Sequence, residues 1–252
     1  MTKPLEGRRA LVTGASRGIG RAVALALADA GADVIAIAKA RSQGALEELD
    51  DEIRAKGREC TLVPMDLTEG DAIDRLGGAI FERFGKLDIL IGNAAVLGTM
   101  SPLGHISVKD WEELMAVNVT ANWRLIRSMD PLLKLSDAGR VVFVTSSVAR
   151  KPRAYWGGYA TTKAALEAMA LTYADECEIT PIKVNMINPG PIRTMMRAKA
   201  VPGEDPMTLP TPEQIAPLFV ELASPEHQST GEIVNFYDWA GIERAATKAG
   251  PV

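Results

Sequence analysis

Short apolar runs alternate with longer stretches of helical periodicity along the whole chain. The runs Arg9–Thr13, Asp33–Ala38, Glu59–Pro64, Asp88–Ile91, Arg140–Thr145, Lys183–Ile187 and Glu232–Phe236 predict strands. Two of them, Val34-Ile-Ala-Ile-Ala38 and Val141-Val-Phe-Val144, contain apolar runs with no polar break, which is the pattern of strands covered on both faces. Helical patterns fill the gaps at Gly18–Ala30, Gln43–Lys56, Glu69–Phe84, Ser107–Leu135, Gly157–Cys177 and Thr211–Leu222. Repeated strand–helix–strand units with right-handed crossovers predict an α/β class fold: a doubly wound parallel sheet with helices on both faces. Pro189–Pro210, rich in Pro and Met, predicts a long irregular loop, and such a loop inside a compact domain is functional or mobile. No linker, repeat or low-complexity segment divides the chain, so residues 1–252 read as one domain. The Ala/Gly-rich tail after Asp238 has two readings, fraying or docking on a neighbouring subunit.

Composition narrows the function classes. A chain of 252 residues has ample material for one full core, and 47% hydrophobic with 24% charged residues is ordinary for a water-facing globular protein. A net charge of −4 gives no general attraction for nucleic acid or anionic membrane. No run approaches the roughly 20 apolar residues of a membrane span, and the first residues lack a signal-type apolar segment. Cys60, Cys177, His105 and His227 are isolated and form no metal or redox pattern, so the expectation is a cytoplasmic protein without a metal.

Between the first strand and the first helix lies Thr13-Gly-Ala-Ser-Arg-Gly-Ile-Gly20. A strand, a glycine turn and a helix in that order aim backbone N–H groups and a helix N-terminus at a pyrophosphate. Gly14 permits the tight turn, and Gly18 and Gly20 allow close approach of phosphates and helix. The spacing is one residue wider than the common dinucleotide fingerprint. A second constellation is Tyr159-Ala-Thr-Thr-Lys163, with Ser146 thirteen residues ahead of the tyrosine. Four residues apart on a helix, the phenol and the ammonium share one face. Charge attraction between them favours the phenolate, which predicts a proton donor and acceptor working near neutral pH.

Thr13–Gly20, Asn93-Ala-Ala95, Asn118, Ser146, Tyr159, Lys163 and Pro189–Thr194 together resemble the short-chain dehydrogenase/reductase family, over about Leu5 to Asp238. The stretch Arg193–Pro206 is similar to a bacterial subgroup with poorly defined substrates. The resemblance implies a seven-stranded Rossmann-type sheet in the order 3-2-1-4-5-6-7. It also implies one NADP-binding catalytic domain with a substrate loop at about 189–210. By resemblance the catalytic set is Asn118, Ser146, Tyr159 and Lys163, with Asn118 kinking its helix and holding a water joined to the lysine. Ser147 takes the serine role if the loop is one residue shorter than usual.

The cofactor residues implied are Gly14, Ser16, Arg17, Gly18, Ile19, Gly20, Lys39, Arg41, Asp66, Leu67, Asn93, Ala94, Ala95, Tyr159, Lys163, Pro189, Gly190, Ile192 and Thr194. Asp66 has a competing reading as the cap of the helix after Thr68. Gly92 and Ala95 depart from the family's Asn-Asn-Ala-Gly pattern. The position that would carry an acid for a ribose hydroxyl holds Ala38, and Arg17, Lys39 and Arg41 surround it, so the expected cofactor is NADP(H) in preference to NAD(H). The activity implied is hydride transfer between NADP(H) and a carbonyl or secondary alcohol of a small, apolar substrate, in a homodimer or homotetramer. The other classes are an NADP(H)-binding sensor or scaffold with little turnover and a cofactor-retaining epimerase. Arg150, Lys151 and Arg153 have two readings, contacts for an acidic substrate or solvated surface. Met195, Met196 and Val201 are expected either as a lid or as packing.

Overall fold

The computed structural model describes residues 3–243. Its strands are β1 (Arg9–Thr13), β2 (Asp33–Ala38), β3 (Cys60–Pro64), β4 (Ile89–Gly92), β5 (Arg140–Val144), β6 (Lys183–Asn188) and β7 (Ile233–Asn235). They form one parallel sheet in the order β3-β2-β1-β4-β5-β6-β7, which is the Rossmann-type order expected. Each strand lies within one residue of its expected ends. The helices are α1 (Gly18–Asp29), α2 (Gln43–Ala55), α3 (Gly70–Phe84), α4 (Val108–Met115), α5 (Ala121–Leu133), α6 (Gly157–Glu176), α7 (Met195–Ala200), α8 (Pro212–Ala223) and α9 (Phe236–Trp239).

Alternation along each strand divides the core in two. Val12, Val34, Ala36 and Val142 point to one face, where Leu27 of α1, Leu49 of α2 and Phe219 of α8 cover them. Leu11, Ile35, Val141 and Phe143 point to the other, against Ile80 of α3, Met129 of α5 and Leu166 of α6. The apolar strand runs follow from this double cover, and each large side chain so buried contributes about 1.5–3 kcal/mol. None of the helices among the described residues is long and apolar enough to cross a membrane.

Two expectations need correction. Ser107–Leu135 is not one helix: α4 and α5 are separated by a π-helical segment, Ala116–Thr120, with Asn118 at its centre. The Asn118 amide is drawn away from the helix, accepting from Val96 N at 2.8 Å and donating to Val96 O at 2.9 Å and Thr162 Oγ1 at 3.0 Å. An inserted side-chain demand of this kind is what widens a helical turn. Nor is Pro189–Pro210 irregular throughout. It contains α7, whose first turn is capped by Thr194 Oγ1 accepting from Arg197 N, and a short 3-10 turn at Pro206–Thr208. The Arg193 guanidinium donates to the carbonyls of Pro206 at 2.7 Å and Leu209 at 3.2 Å, and Arg197 pairs with Glu204 through two hydrogen bonds. The expectation for the tail beyond Asp238 falls for the most part on 244–252, outside the described residues.

Candidate active site

A cleft of about 520 Å³ opens at the C-terminal ends of β1–β6. In a doubly wound sheet this is where ligands bind. The strand ends dictate its floor. Thr13, the last residue of β1, accepts from Asn93 N and Ala94 N through Oγ1, at 3.0 Å each, and donates to Ile91 O. The Asn93 side chain returns a bond to Thr13 O at 2.8 Å. The glycine turn and the exit of β4 are therefore one hydrogen-bonded unit. Gly14 has φ +69°, and an added Cβ would stand 2.9 Å from Asn93 Nδ2. At Gly20 a Cβ would stand 2.3 Å from Gly14 O, so only glycine lets α1 begin this close to the turn.

The cleft brings together most of the expected residues. Gly14, Ser16, Arg17, Gly18 and Ile19 line it from the turn, Lys39, Arg41 and Leu67 from the ends of β2 and β3. Asn93, Ala94 and Ala95 follow β4, and Pro189, Gly190, Ile192 and Thr194 follow β6. Ser146, Tyr159 and Lys163 line the same cavity. Ser147 is exposed and outside the lining. The two departures in the β4 motif have local explanations. A Cβ at Gly92 would meet the Phe143 ring at 2.2 Å. Ala95 has no positive φ, since Tyr155 is the one non-glycine residue among those described that does, and its methyl meets no backbone strain.

Three expected residues are not in the cleft wall. Gly20 packs behind the turn. Asp66 is held by Lys39 at 3.0 Å and accepts from Thr68 N and Oγ1, a local turn ahead of α3 that caps no N–H of that helix. Burial pushes its carboxyl up, but the Thr68 and Lys39 bonds outweigh that and leave it below its ordinary value. Asn118 is fully buried behind the cleft, its amide committed to Val96 and Thr162. Its own carbonyl accepts from Asn122 Nδ2 at 2.8 Å. Arg150, Lys151 and Arg153 do not line the cleft, and Arg150 Nε donates to Glu167 at 3.0 Å.

Tyr159 and Lys163 are both buried, with Lys163 Nζ 5.6 Å from the tyrosine ring centroid. Lys163 donates to Val144 O at 2.6 Å. Burial pushes the Tyr159 phenol well above its usual range and pulls the Lys163 ammonium down to about 8. The expectation of a phenol brought towards neutral pH is therefore not met in the protein alone. Desolvation penalises both charged forms and exceeds the attraction between them. At neutral pH Tyr159 is a protonated hydroxyl facing the cleft.

Beside it is an apolar wall of Val96, Leu97, Trp156, Met196 and Ala200. Trp156 meets the Tyr159 ring edge-on, with centroids 6.1 Å apart. Val96-Leu97 directly follows the Asn93–Ala95 run, so its proximity was available from the sequence. For the methionines of α7 the sequence left a lid or packing open. Met195 and Met196 reach the cleft and Val201 does not.

Comparison with known proteins places the chain among similar sequences and folds. The profile of the family described as short chain dehydrogenase matches residues 8–205. An oxidoreductase of Escherichia coli named YciK is 41% identical over 221 residues, covering 86% of this chain and 86% of its own length. A protein of Mycobacterium tuberculosis named as an NAD-dependent oxidoreductase is 36% identical over 204 residues, 76% of this chain and 74% of its own. A short chain dehydrogenase of Escherichia coli, solved complexed with NADPH, superposes with a TM-score of 0.88 at 38% identity, covering 94% of this chain and 99% of that one.

Proposed function

The chain belongs to the short chain dehydrogenase family, and from that premise we propose that it transfers a hydride between NADP(H) and a carbonyl or secondary alcohol of a small, apolar substrate. The observation that carries this reading is the sharing of one cleft by the glycine turn, Ser146 and a buried Tyr159. Choice of the phosphorylated cofactor is supported by the donor set. Ala38 offers no carboxylate to a ribose hydroxyl, and Arg17, Lys39 and Arg41 line that end of the cleft. Arg17 donates to Met195 Sδ, and Arg41 forms no ion pair among the described residues. The one nearby acid, Asp66, is taken up by Lys39. The NADPH-bound relative supports the same reading, while another relative is named NAD-dependent, so the proposal for this chain rests on these side chains.

When bound, the cofactor supplies the hydride from its nicotinamide ring. The chain supplies placement and protons. Tyr159 donates its phenolic proton to the oxygen that becomes an alkoxide, and the Ser146 hydroxyl holds that oxygen. The Lys163 ammonium steadies the phenolate left behind. Asn118 acts at one remove, fixing Val96 on the apolar wall and Thr162 beside the catalytic helix turn. Val96, Leu97, Trp156 and Met196 favour an apolar substituent on the carbonyl, and α7 covers that end of the cleft as the substrate loop.

A panel of aldehydes, ketones, sugars and keto-acyl thioesters, followed by NADPH absorbance, tests the reaction. Carbonyl-dependent oxidation, strongest with the apolar members, is the expected result. Tight NADPH binding with no oxidation by any of them would favour a sensor instead. Cofactor choice has its own test. Lys39→Ala combined with Arg41→Ala should lower the preference for NADPH over NADH on the order of tenfold, a discounted figure because both side chains face solvent and Lys39 is shared with Asp66. An unchanged ratio of dissociation constants would assign the phosphate to Arg17.

A further inference from the structure

Glu167 lies one turn beyond Lys163 on α6, is 8% exposed, and does not line the cleft. Its two oxygens hold the two ends of the loop that presents Ser146. Oε1 accepts from Thr145 Oγ1 at 2.7 Å, and Oε2 accepts from Arg150 Nε at 3.0 Å. Thr145 is buried and tied to β6 through its N–H to Ile187 O, while Arg150 is exposed and ends the 3-10 turn Ser147–Ala149. Lys163 holds the residue before Thr145 through Val144 O. Around Ser146, then, positions 144, 145 and 150 are all fastened to the helix that carries Tyr159.

We propose that Glu167 is a positioning residue for the reaction: it clamps the Thr145–Arg150 loop to α6 and so fixes the Ser146 hydroxyl relative to the Tyr159 phenol. This rests on the hydride-transfer reading of the same site. A buried carboxylate is costly unless its lone pairs are matched, and here a hydroxyl and a guanidinium match them. Two groups acting on one carbonyl oxygen tolerate little displacement, since about 1 Å of misplacement can lose a factor of roughly 100.

The test is Glu167→Gln, which keeps the shape and the Thr145 acceptor but removes the charge that Arg150 meets. With NADPH and 4-nitrobenzaldehyde as the probe, kcat should fall about tenfold while the NADPH dissociation constant stays within about twofold. Amide hydrogen exchange over 146–150 should quicken, and that over 160–176 should not. Arg150→Ala, an exposed change that keeps the test available if the first variant folds poorly, should reproduce most of the loss. The double variant should be little worse than either alone. A kcat within twofold of wild type, or a loss of kcat matched by an equal loss of NADPH affinity, overturns the positioning role. Wild type and Tyr159→Phe run alongside separate the two readings. A wild type that reduces no carbonyl defeats the reaction, and the exchange rates over 146–150 then decide alone whether the clamp exists.

Discussion

Tyr159→Phe should lower carbonyl-dependent NADPH oxidation by about 100- to 10,000-fold, the range for removing a general acid, while NADPH affinity stays within about twofold. The change deletes one oxygen and leaves the ring, so the edge-on contact with Trp156 and the packing against Leu97, Leu114 and Val148 remain. The hydroxyl donates to no other described residue, so its loss leaves no buried partner unsatisfied and the melting temperature should not fall. Single-turnover measurement is the informative one, because it separates chemistry from product release. A variant retaining more than about a tenth of wild-type turnover would remove Tyr159 from the proton step. Ser146→Ala run beside it should cost less, because Ser146 orients the oxygen without supplying its proton.

Burial holds the Tyr159 phenol above its usual range, so in the free protein it is a proton donor at neutral pH. The alcohol-oxidising direction needs the phenolate, which desolvation opposes.

The strands were legible because the sheet is covered on both faces, so burial appears in the sequence as unbroken apolar runs such as Val141-Val-Phe-Val144. The glycine turn and the Tyr159–Lys163 pair were legible because their spacing alone decides where they point. What stayed hidden is the work of charges over intermediate distances. Arg193 and Arg197 fold Pro189–Pro210 by binding carbonyls and Glu204, contacts that no local spacing marks. Lys39 and Asp66 meet only because Ala38 pairs with Pro64 in the register of β2 and β3, which no local pattern reveals. The helical period runs unbroken through Asn118, so Ser107–Leu135 looked like one helix. The mid-helix asparagine marked the spot, and its bonds to Val96 and Thr162 account for the π segment. Glu167 was overlooked because a glutamate at helical spacing is commonplace; its position four residues after Lys163, on the face of the catalytic pair, was the available signal.

Lys163→Met should abolish turnover, by at least about 100-fold, and at the same time stabilise the protein at pH 7. Burial lowers the ammonium from 10.5 to about 8, so the folded state holds that proton less tightly than the unfolded chain does. Below about pH 8 both states are protonated and the folded state carries the full penalty, on the order of 3 kcal/mol. Between about 8 and 10.5 the unfolded chain binds more protons, so the stability of the wild type rises with pH through that window. Methionine has nearly the same length and no charge to desolvate, but it abandons the 2.6 Å bond to Val144 O and leaves that carbonyl without its donor. The net gain should be about 1–2 kcal/mol at pH 7, or a few degrees in melting temperature for a chain of this size. Measured against wild type at pH 7 and again near pH 9.5, the advantage should shrink or reverse, because the wild-type lysine is neutral at the higher pH and keeps its hydrogen bond. A difference that stays constant between the two pH values would mean that Lys163 does not titrate near 8, and that the ammonium is better solvated than its burial implies.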